Sequence, residues 1–391
     1  MGLPFVMKTY NVAVIGYGWA GGAHIAAING TSLARVTGVC SSRPHDPVLL
    51  RTRHNCELEQ FRDIDAVLRR DDIHVVSICS YPQLHAEHLI AAARAGKHFI
   101  VEKPIALSPA DAHAVAQAVA AAGVKGCVCF EGRFSRQFLA TKALIDSGQL
   151  GVIHYGEFDY YHGIGPWYGQ FRWNTRKEYA GSSLLSAGCH ALSALLLCMG
   201  NEVASVTSQA TYSRNELFAQ YDYPTTSVTI VTFKDGRIGK VASVIDCLQP
   251  YYRHVHLVGS EGSMLDNRFC TRRLGGLDMD KWSELSFPLI DSGDVRDHPY
   301  KPQFEAFFNA LAQGEDMPLT SFNEGLVTHR VAFAADLSAR EGRTVHLAEM
   351  PDLSSVSMRG DRASRLANGA TMTPALVPAI MPQIEPLPNG S

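Results

Sequence analysis

Residues 10–21 read Tyr10-Asn11-Val12-Ala13-Val14-Ile15-Gly16-Tyr17-Gly18-Trp19-Ala20-Gly21. A short β-forming run passes directly into G-x-G-x-x-G, and a helical stretch follows to about Asn29. In that setting each glycine has a mechanical task. Gly16 makes the tight turn, Gly18 lets the backbone approach a pyrophosphate, and Gly21 lets the helix pack close to the strand. The helix start, with Trp19 and Ala20, offers its free N–H groups to the anion. A bare glycine-rich turn would lack this strand–turn–helix context, so the motif points to a dinucleotide.

Working outward, Val36–Cys40, His74–Cys79, His98–Val101 and Gly126–Phe130 read as further strands. Helices separate them: one over Gln83–Ala95, and an Ala-rich one opened by Ser108-Pro109-Ala110-Asp111, with Ser as N-cap and Pro in the first turn. Strands alternating with helices imply a parallel sheet. After about residue 150 the strands lengthen and alternate: Val152–Tyr160, Val203–Tyr212, Ser227–Phe233, Ile238–Cys247 and His254–Val258. A turn at Lys234-Asp235-Gly236-Arg237 joins two of them. The helices here are Gly181–Met199, Lys301–Gln313 and Asn323–Arg340. The fold class is therefore α/β: a Rossmann dinucleotide-binding domain over 1–132, then a C-terminal α+β domain over 133–350. The latter carries an open, mostly antiparallel or mixed sheet. Residues 351–391, rich in Pro, Met and Ser, read as a tail or arm.

A chain of 391 residues exceeds one ordinary core, which agrees with two domains. Lys+Arg (35) nearly balance Asp+Glu (38), so the formal charge of −3 provides no basic field. Neither nucleic acid nor an acidic membrane surface is expected as a partner. No apolar run approaches the ~18 residues of a membrane helix, and residues 1–8 lack the pattern of a secretory signal. The nine cysteines are scattered without a C-x-x-C pair. They read as reduced thiols of a cytoplasmic protein, with no metal site.

The second strand ends Val39-Cys40-Ser41-Ser42-Arg43, with no carboxylate until Asp46. An NAD site usually places an acid there for the ribose 2′-hydroxyl. Ser41, Ser42 and Arg43 instead suit a 2′-phosphate, so the cofactor is expected to be NAD(P), leaning to NADP. Ser80, Tyr81 and His85 after the next strand, with Glu102 and Lys103, complete the expected cofactor contacts. Val101-Glu102-Lys103-Pro104 follows the strand taken as the fourth, at the sheet's carboxyl edge. A lysine there can bind a substrate hydroxyl and stabilise a developing alkoxide.

Taken together, these stretches resemble the Gfo/Idh/MocA oxidoreductases over residues 8 to 350. The resemblance rests on the glycine loop, Gln83-Leu84-His85-Ala86-Glu87, Ala95-Gly96-Lys97-His98 and Glu102-Lys103-Pro104. It continues through Leu144-Ile145-Asp146-Ser147-Gly148, Ala180-Gly181-Ser182, Gly259-Ser260-Glu261-Gly262 and the Ser338–Leu347 ending. It implies homodimers or homotetramers assembled through the C-terminal sheet. It also implies His190 as acid/base, four residues after a helix Asp. Position 186 is Ser here, which leaves the usual relay in doubt. On this reading Lys103 and His190 are catalytic. The expected substrate contacts are Lys103, Arg133, His162, Trp167, Arg172, Trp173, Ser186, His190 and Tyr300. Tyr168, Arg176 and His298 are neighbours of that set.

The expected activity is oxidation of a ring hydroxyl of a sugar, glycoside or cyclitol. One alternative keeps the fold but cleaves glycosides by transient oxidation, elimination, water addition and reduction. Another is a non-catalytic sugar or cofactor sensor, against which Lys103 and His190 argue.

Overall fold

A computed structural model describes residues 9–353 except 288, 290 and 291. The opening run forms β1 (Tyr10–Ile15), followed by β2 (Ala34–Cys40), β3 (Glu59–Phe61), β4 (Val75–Ile78), β5 (His98–Val101) and β6 (Gly126–Val128). They make one parallel sheet in the order β3-β2-β1-β4-β5-β6. Val12, Ala13, Val14, Val75 and Val76 are wholly buried, because both faces of a parallel sheet are covered. The order reverses between β1 and β4, opening a crevice at their carboxyl ends. Gly16 and Ser80 face each other across it.

The Trp19–Asn29 helix packs one face of this sheet through Gly21, His24, Ile25 and Ile28. The Tyr300–Gln313 helix, though distant in sequence, joins the same core: Phe304, Phe307 and Phe308 pack with Tyr10, Val12 and Ile28. Tyr300 thereby reaches the end of β5.

The second sheet has nine strands. They are β7 (Ile153–Tyr161), β8 (Val203–Thr211), β9 (Thr226–Phe233), β10 (Ile238–Val244), β11 (Tyr252–Gly259), β12 (Gly262–Leu265), β13 (Arg268–Thr271), β14 (Ser283–Glu284) and β15 (Val345–His346). Their order is β14-β13-β12-β11-β7-β10-β9-β8-β15. Every pair is antiparallel except β7 with β10, so the sheet is mixed and mostly antiparallel, as the alternation implied. On β9, Ser227, Thr229, Val231 and Phe233 are buried while Val228 and Ile230 are exposed: one face is covered and the other open.

Three readings are corrected. The short β3 and the helices Pro47–His54 and Ile64–Leu68 carry too little pattern to be read, so Glu102-Lys103-Pro104 follows the fifth strand, not the fourth. The stretch Lys177–Met199 is long and apolar enough to cross a membrane, with mean hydropathy 1.6, where the sequence reading found none. Most of that window (89%) is buried in the fold, which is the behaviour of a core helix. Its central turn, Leu184–Gly188, is a π-turn before the α-helix Cys189–Met199 begins. No side-chain hydrogen bond joins Ser186 to the His190 ring across this turn. The tail starts later than residue 351 suggests, since Leu353 is buried in the core; residues 354–391 lie outside those described. All nine cysteines are unpaired.

Candidate active site

The glycine loop fits a dinucleotide. Gly16 has φ +95°, and a Cβ there would lie 2.6 Å from both Cys79 O and Ser80 N. At Gly21 a Cβ would stand 2.3 Å from Gly16 O, while at Gly18 it would meet no protein atom within 4 Å. Two glycines thus close the turn, and the third keeps a space clear in front of the helix. That helix has Gly18 as N-cap with no side chain capping it, so its first N–H groups point at an anion site. Trp19 covers the mouth, edge-on to Tyr168 at 5.1 Å.

At the end of β2, Ser41 Oγ is bonded to His45 Nε2 (2.9 Å), and Arg62 donates to the carbonyl of Ser42 (3.3 Å). Arg43 is exposed. Arg62, which the sequence reading omitted, brings a second guanidinium to this edge. Ser80 Oγ pairs with His88 Nδ1 (3.0 Å), and Tyr81 leans on Trp173 at 5.9 Å. His85 is a brace: its ring nitrogens lie 2.6 Å from Pro104 O and 2.9 Å from Ser80 O, and it is buried. It fixes the two loops relative to each other.

Glu102 is held from below. His24 Nε2 lies 3.0 Å from its Oε1, and the Tyr300 hydroxyl donates to the same oxygen at 2.6 Å. Burial would push the His24 imidazole down, but Cys79 and the Glu102 carboxylate hold it up, in its charged form. Tyr300 is thus occupied by Glu102, the residue before Lys103. Lys103 Nζ reaches across to donate to the carbonyl of Ser186, inside the π-turn. The ammonium from the first sheet and the His190 helix of the second therefore border one cleft.

His190 is buried, stacked on Tyr160 (ring centroids 6.0 Å, 16°) and edge-on to Phe130. Its Nδ1 has no hydrogen-bond partner among the described residues, and Ser186 Oγ makes no bond to the ring. Ser186 thus meets Lys103 through its backbone and does not orient the imidazole. Burial pushes His190 well below its usual pKa, so it is neutral near pH 7.

Two residues behind His190, Glu131 and Arg253, were not assigned from sequence, and His298, which was singled out, joins them. Glu131, just after β6, has Oε2 3.6 Å from His190 Nδ1, and its Oε1 accepts from Arg253 Nη2 at 3.0 Å. His298 Nδ1 is 3.8 Å from Oε1. Burial would raise the Glu131 carboxyl, but His190 and His298 when protonated, and Arg253 at any pH, outweigh it and hold it well below the ordinary range. Arg253 Nε also donates to the Tyr251 hydroxyl (2.7 Å). A signal existed: Arg253 falls on the inward phase of β11, with Val255 and Leu257. A charge in that phase requires a buried partner.

His162 lines the cleft with Nδ1 3.2 Å from the Tyr160 hydroxyl, packed between the Tyr168 and Tyr251 rings. Burial, with Lys103, His298 and Arg253 nearby, lowers its pKa to about 3. Beyond it an aromatic cleft of about 690 Å³ opens, bordered by Trp19, Trp167, Tyr168 and Tyr251. Trp167 stands at the rim, 59% exposed.

Two expected substrate contacts lie elsewhere. Arg133 is buried and committed: Nη1 donates to the Leu319 carbonyl and to Glu324 (2.8 Å), and Nη2 to the Ser193 carbonyl (2.6 Å). It ties the turn after β6 to the later helices. Arg172 is exposed on a short helix, and Trp173 turns toward Tyr81.

Residues 10–130 match the oxidoreductase family with an NAD-binding Rossmann fold, and residues 138–265 match the GFO/IDH/MocA C-terminal domain. The chain belongs to the Gfo/Idh/MocA oxidoreductase family. It is similar to the inositol 2-dehydrogenase of Rhizobium meliloti, at 25% identity over 87% of this chain and 100% of that one. It is also similar to the D-glucoside 3-dehydrogenase of Escherichia coli, at 26% identity over 86% and 97%. Among solved structures, levoglucosan dehydrogenase in complex with NADH and levoglucosan superposes with TM-score 0.76. That match has 23% identity and covers 88% of this chain and all of the other. The relatives include dehydrogenases named for NAD(+) and for NADP(+). As a Gfo/Idh/MocA member, the chain is an NAD(P)-dependent carbohydrate oxidoreductase.

Proposed function

We propose that this enzyme oxidises a ring hydroxyl of a neutral sugar, glycoside or cyclitol, with Lys103 binding that hydroxyl and His190 taking its proton. The observation carrying this reading is the reach of Lys103 Nζ to the Ser186 carbonyl, which brings ammonium and imidazole to one cleft. The Lys103 charge stabilises the alkoxide as it develops, and the neutral His190 ring accepts the proton. NAD(P), when bound at the glycine loop, supplies the hydride acceptor. The chain contributes orientation, charge and exclusion of water: His24, Tyr300 and His85 hold the residues flanking Lys103, while Tyr168 and Trp19 cover the cleft.

A neutral ring is favoured because the buried guanidiniums are already engaged, Arg133 by Glu324 and carbonyls, Arg253 by Glu131 and Tyr251. Aromatic rings at the outer cleft suit the apolar face of a sugar. Arg43 and Arg62 at the end of β2 favour NADP over NAD. Unpaired buried cysteines agree with a reducing, cytoplasmic setting. The open sheet face, with Val228, Ile230 and Ile238 exposed, is where a second copy would pack; light scattering reads the resulting dimer or tetramer.

Product identity tests the activity. With oxidised cofactor and a neutral ring polyol, the product is a ketone that a carbonyl reagent captures. Release of an aglycone with the sugar hydroxyl intact would support the redox-neutral glycosidase instead.

A further inference from the structure

A base in this position needs one ring nitrogen free for substrate and the other held. For His190 the atom to be held is Nδ1, which is buried and without a hydrogen-bond partner. Among the described residues, the charged and titratable groups facing the ring come from several elements. Lys103 approaches from after β5, Arg253 from β11 and His298 from ahead of the Tyr300 helix, while the Tyr160 hydroxyl belongs to β7. Among the described residues, only Glu131, from the turn after β6, brings an acceptor of negative charge, with Oε2 3.6 Å from Nδ1. That distance is just beyond hydrogen-bond range, and catalytic pairs often run long before substrate arrives. The Ser186 hydroxyl, placed in the π-turn, makes no bond to the ring.

The carboxylate is itself aimed. Arg253 Nη2 holds Oε1 at 3.0 Å, which leaves Oε2 directed at His190. Gly132 is part of that device: a Cβ there would lie 1.8 Å from Arg253 Nη1, so only glycine lets the guanidinium reach Glu131. We propose that Glu131 is the positioning residue of the proton relay, fixing His190 with its proton on Nδ1 and stabilising the imidazolium. The inference rests on His190 being the base proposed above. In the step, the substrate O–H bond breaks and its proton goes to His190 Nε2. The Nδ1 proton stays in the ring, shared with Glu131, and no net charge leaves the buried cluster. The relay thus runs from the turn after β6 of the first sheet to β11 of the second.

The test has two arms. In the wild-type protein, 15N NMR of the His190 ring at neutral pH reports the tautomer without any turnover. The Nδ1–H form is expected, and the Nε2–H form would overturn the proposal. In the second arm, Glu131→Gln is compared with wild type in kcat, cofactor Kd and the acid limb of kcat/KM. The expectation is a kcat loss of about 10–100-fold and an acid limb moved to lower pH by about one unit or more. Cofactor Kd should be unchanged. Because Glu131→Gln strands the buried Arg253 charge, which by itself destabilises the fold, Glu131→Gln/Arg253→Gln removes both charges together. In whichever of the two variants folds, kcat within about twofold of wild type and an unmoved limb refute the role. A wild-type enzyme inactive on every carbohydrate defeats the proposed function, while the tautomer still reads the Glu131 contact.

Discussion

Replacing Gly16 with alanine tests the nucleotide loop where its geometry is tightest. At φ +95° an alanine pays backbone strain of about 1–3 kcal/mol. Its Cβ would also press on Cys79 O and Ser80 N at 2.6 Å, and on Cys79 C at 2.7 Å. These are backbone atoms fixed by the β1–β4 pairing, so they cannot rotate away. Overpacking adds about 1–3 kcal/mol, giving a total of about 2–6 kcal/mol. Gly16→Ala should therefore lower the urea midpoint and, by displacing the turn, weaken NAD(P)H binding. Gly18→Ala supplies the contrast. Its Cβ meets no protein atom within 4 Å and its φ of −121° suits any residue, so stability should hold within about 0.5 kcal/mol. Its methyl would still enter the space left for the pyrophosphate, so affinity should fall at least about tenfold, or about 1.4 kcal/mol. Calorimetric titration with NAD(P)H and urea unfolding separate the two effects. Wild-type affinity in Gly18→Ala, or wild-type stability in Gly16→Ala, would refute the reasoning.

Further outcomes follow from the same geometry. Arg43→Ala should weaken NADP(H) by about 1.5–3 kcal/mol and NAD(H) far less; equal losses in paired titrations remove the NADP preference. His190→Ala should cut kcat by roughly 10²–10⁴ with little change in cofactor Kd, and steady-state kinetics showing an intact kcat would reassign the base. Arg133→Met should cost about 3 kcal/mol of unfolding free energy, the low end for a broken buried pair because Glu324 is one-third exposed. A raised KM at unchanged stability would instead return Arg133 to the substrate. For pH, His162, His190 and His298 all lie below the usual 6.5, so the unfolded chain binds their protons first. Their stability contribution is complete above about 6.5 and is lost as pH falls below it, at up to about 1.4 kcal/mol per unit each. Urea midpoints should drop between pH 7 and 5, and His162→Phe should flatten that drop; a flat wild-type profile contradicts it.

The sequence carried the parts of the fold that have a period. G-x-G-x-x-G between a strand and a helix located β1, the crevice and the cofactor side, and alternation located β7 to β11. Short elements carry no period, so Glu59–Phe61 and the edge strands after residue 260 were missed. The π-turn at 184–188 was illegible for another reason. Leu184, Leu185 and Ala187 are ordinary helix formers, and what meets the turn is Lys103 from the other sheet. Lys103 and His190 could be singled out from motifs. Arg253 left a trace in the inward phase of β11, but Glu131, 122 positions away, could not be paired with it from sequence, because a buried ion pair is defined by its partner. Arg133 shows the converse: a charge just after a strand looks like a ligand contact, and here it braces helices.

The central claim is net oxidation driven by Lys103 and His190. It is tested most directly by following the reduced-nicotinamide absorbance band with NADP⁺ and NAD⁺ across neutral sugars, inositols and aryl glycosides. Carbonyl product should be quantified in the same reaction. The account predicts one reduced cofactor per ketone formed for the wild-type enzyme, and a rate lowered by roughly 10²–10⁴ in Lys103→Ala. Aryl glycoside cleavage with no accumulated reduced cofactor, or ketone formation undiminished in Lys103→Ala, would contradict it.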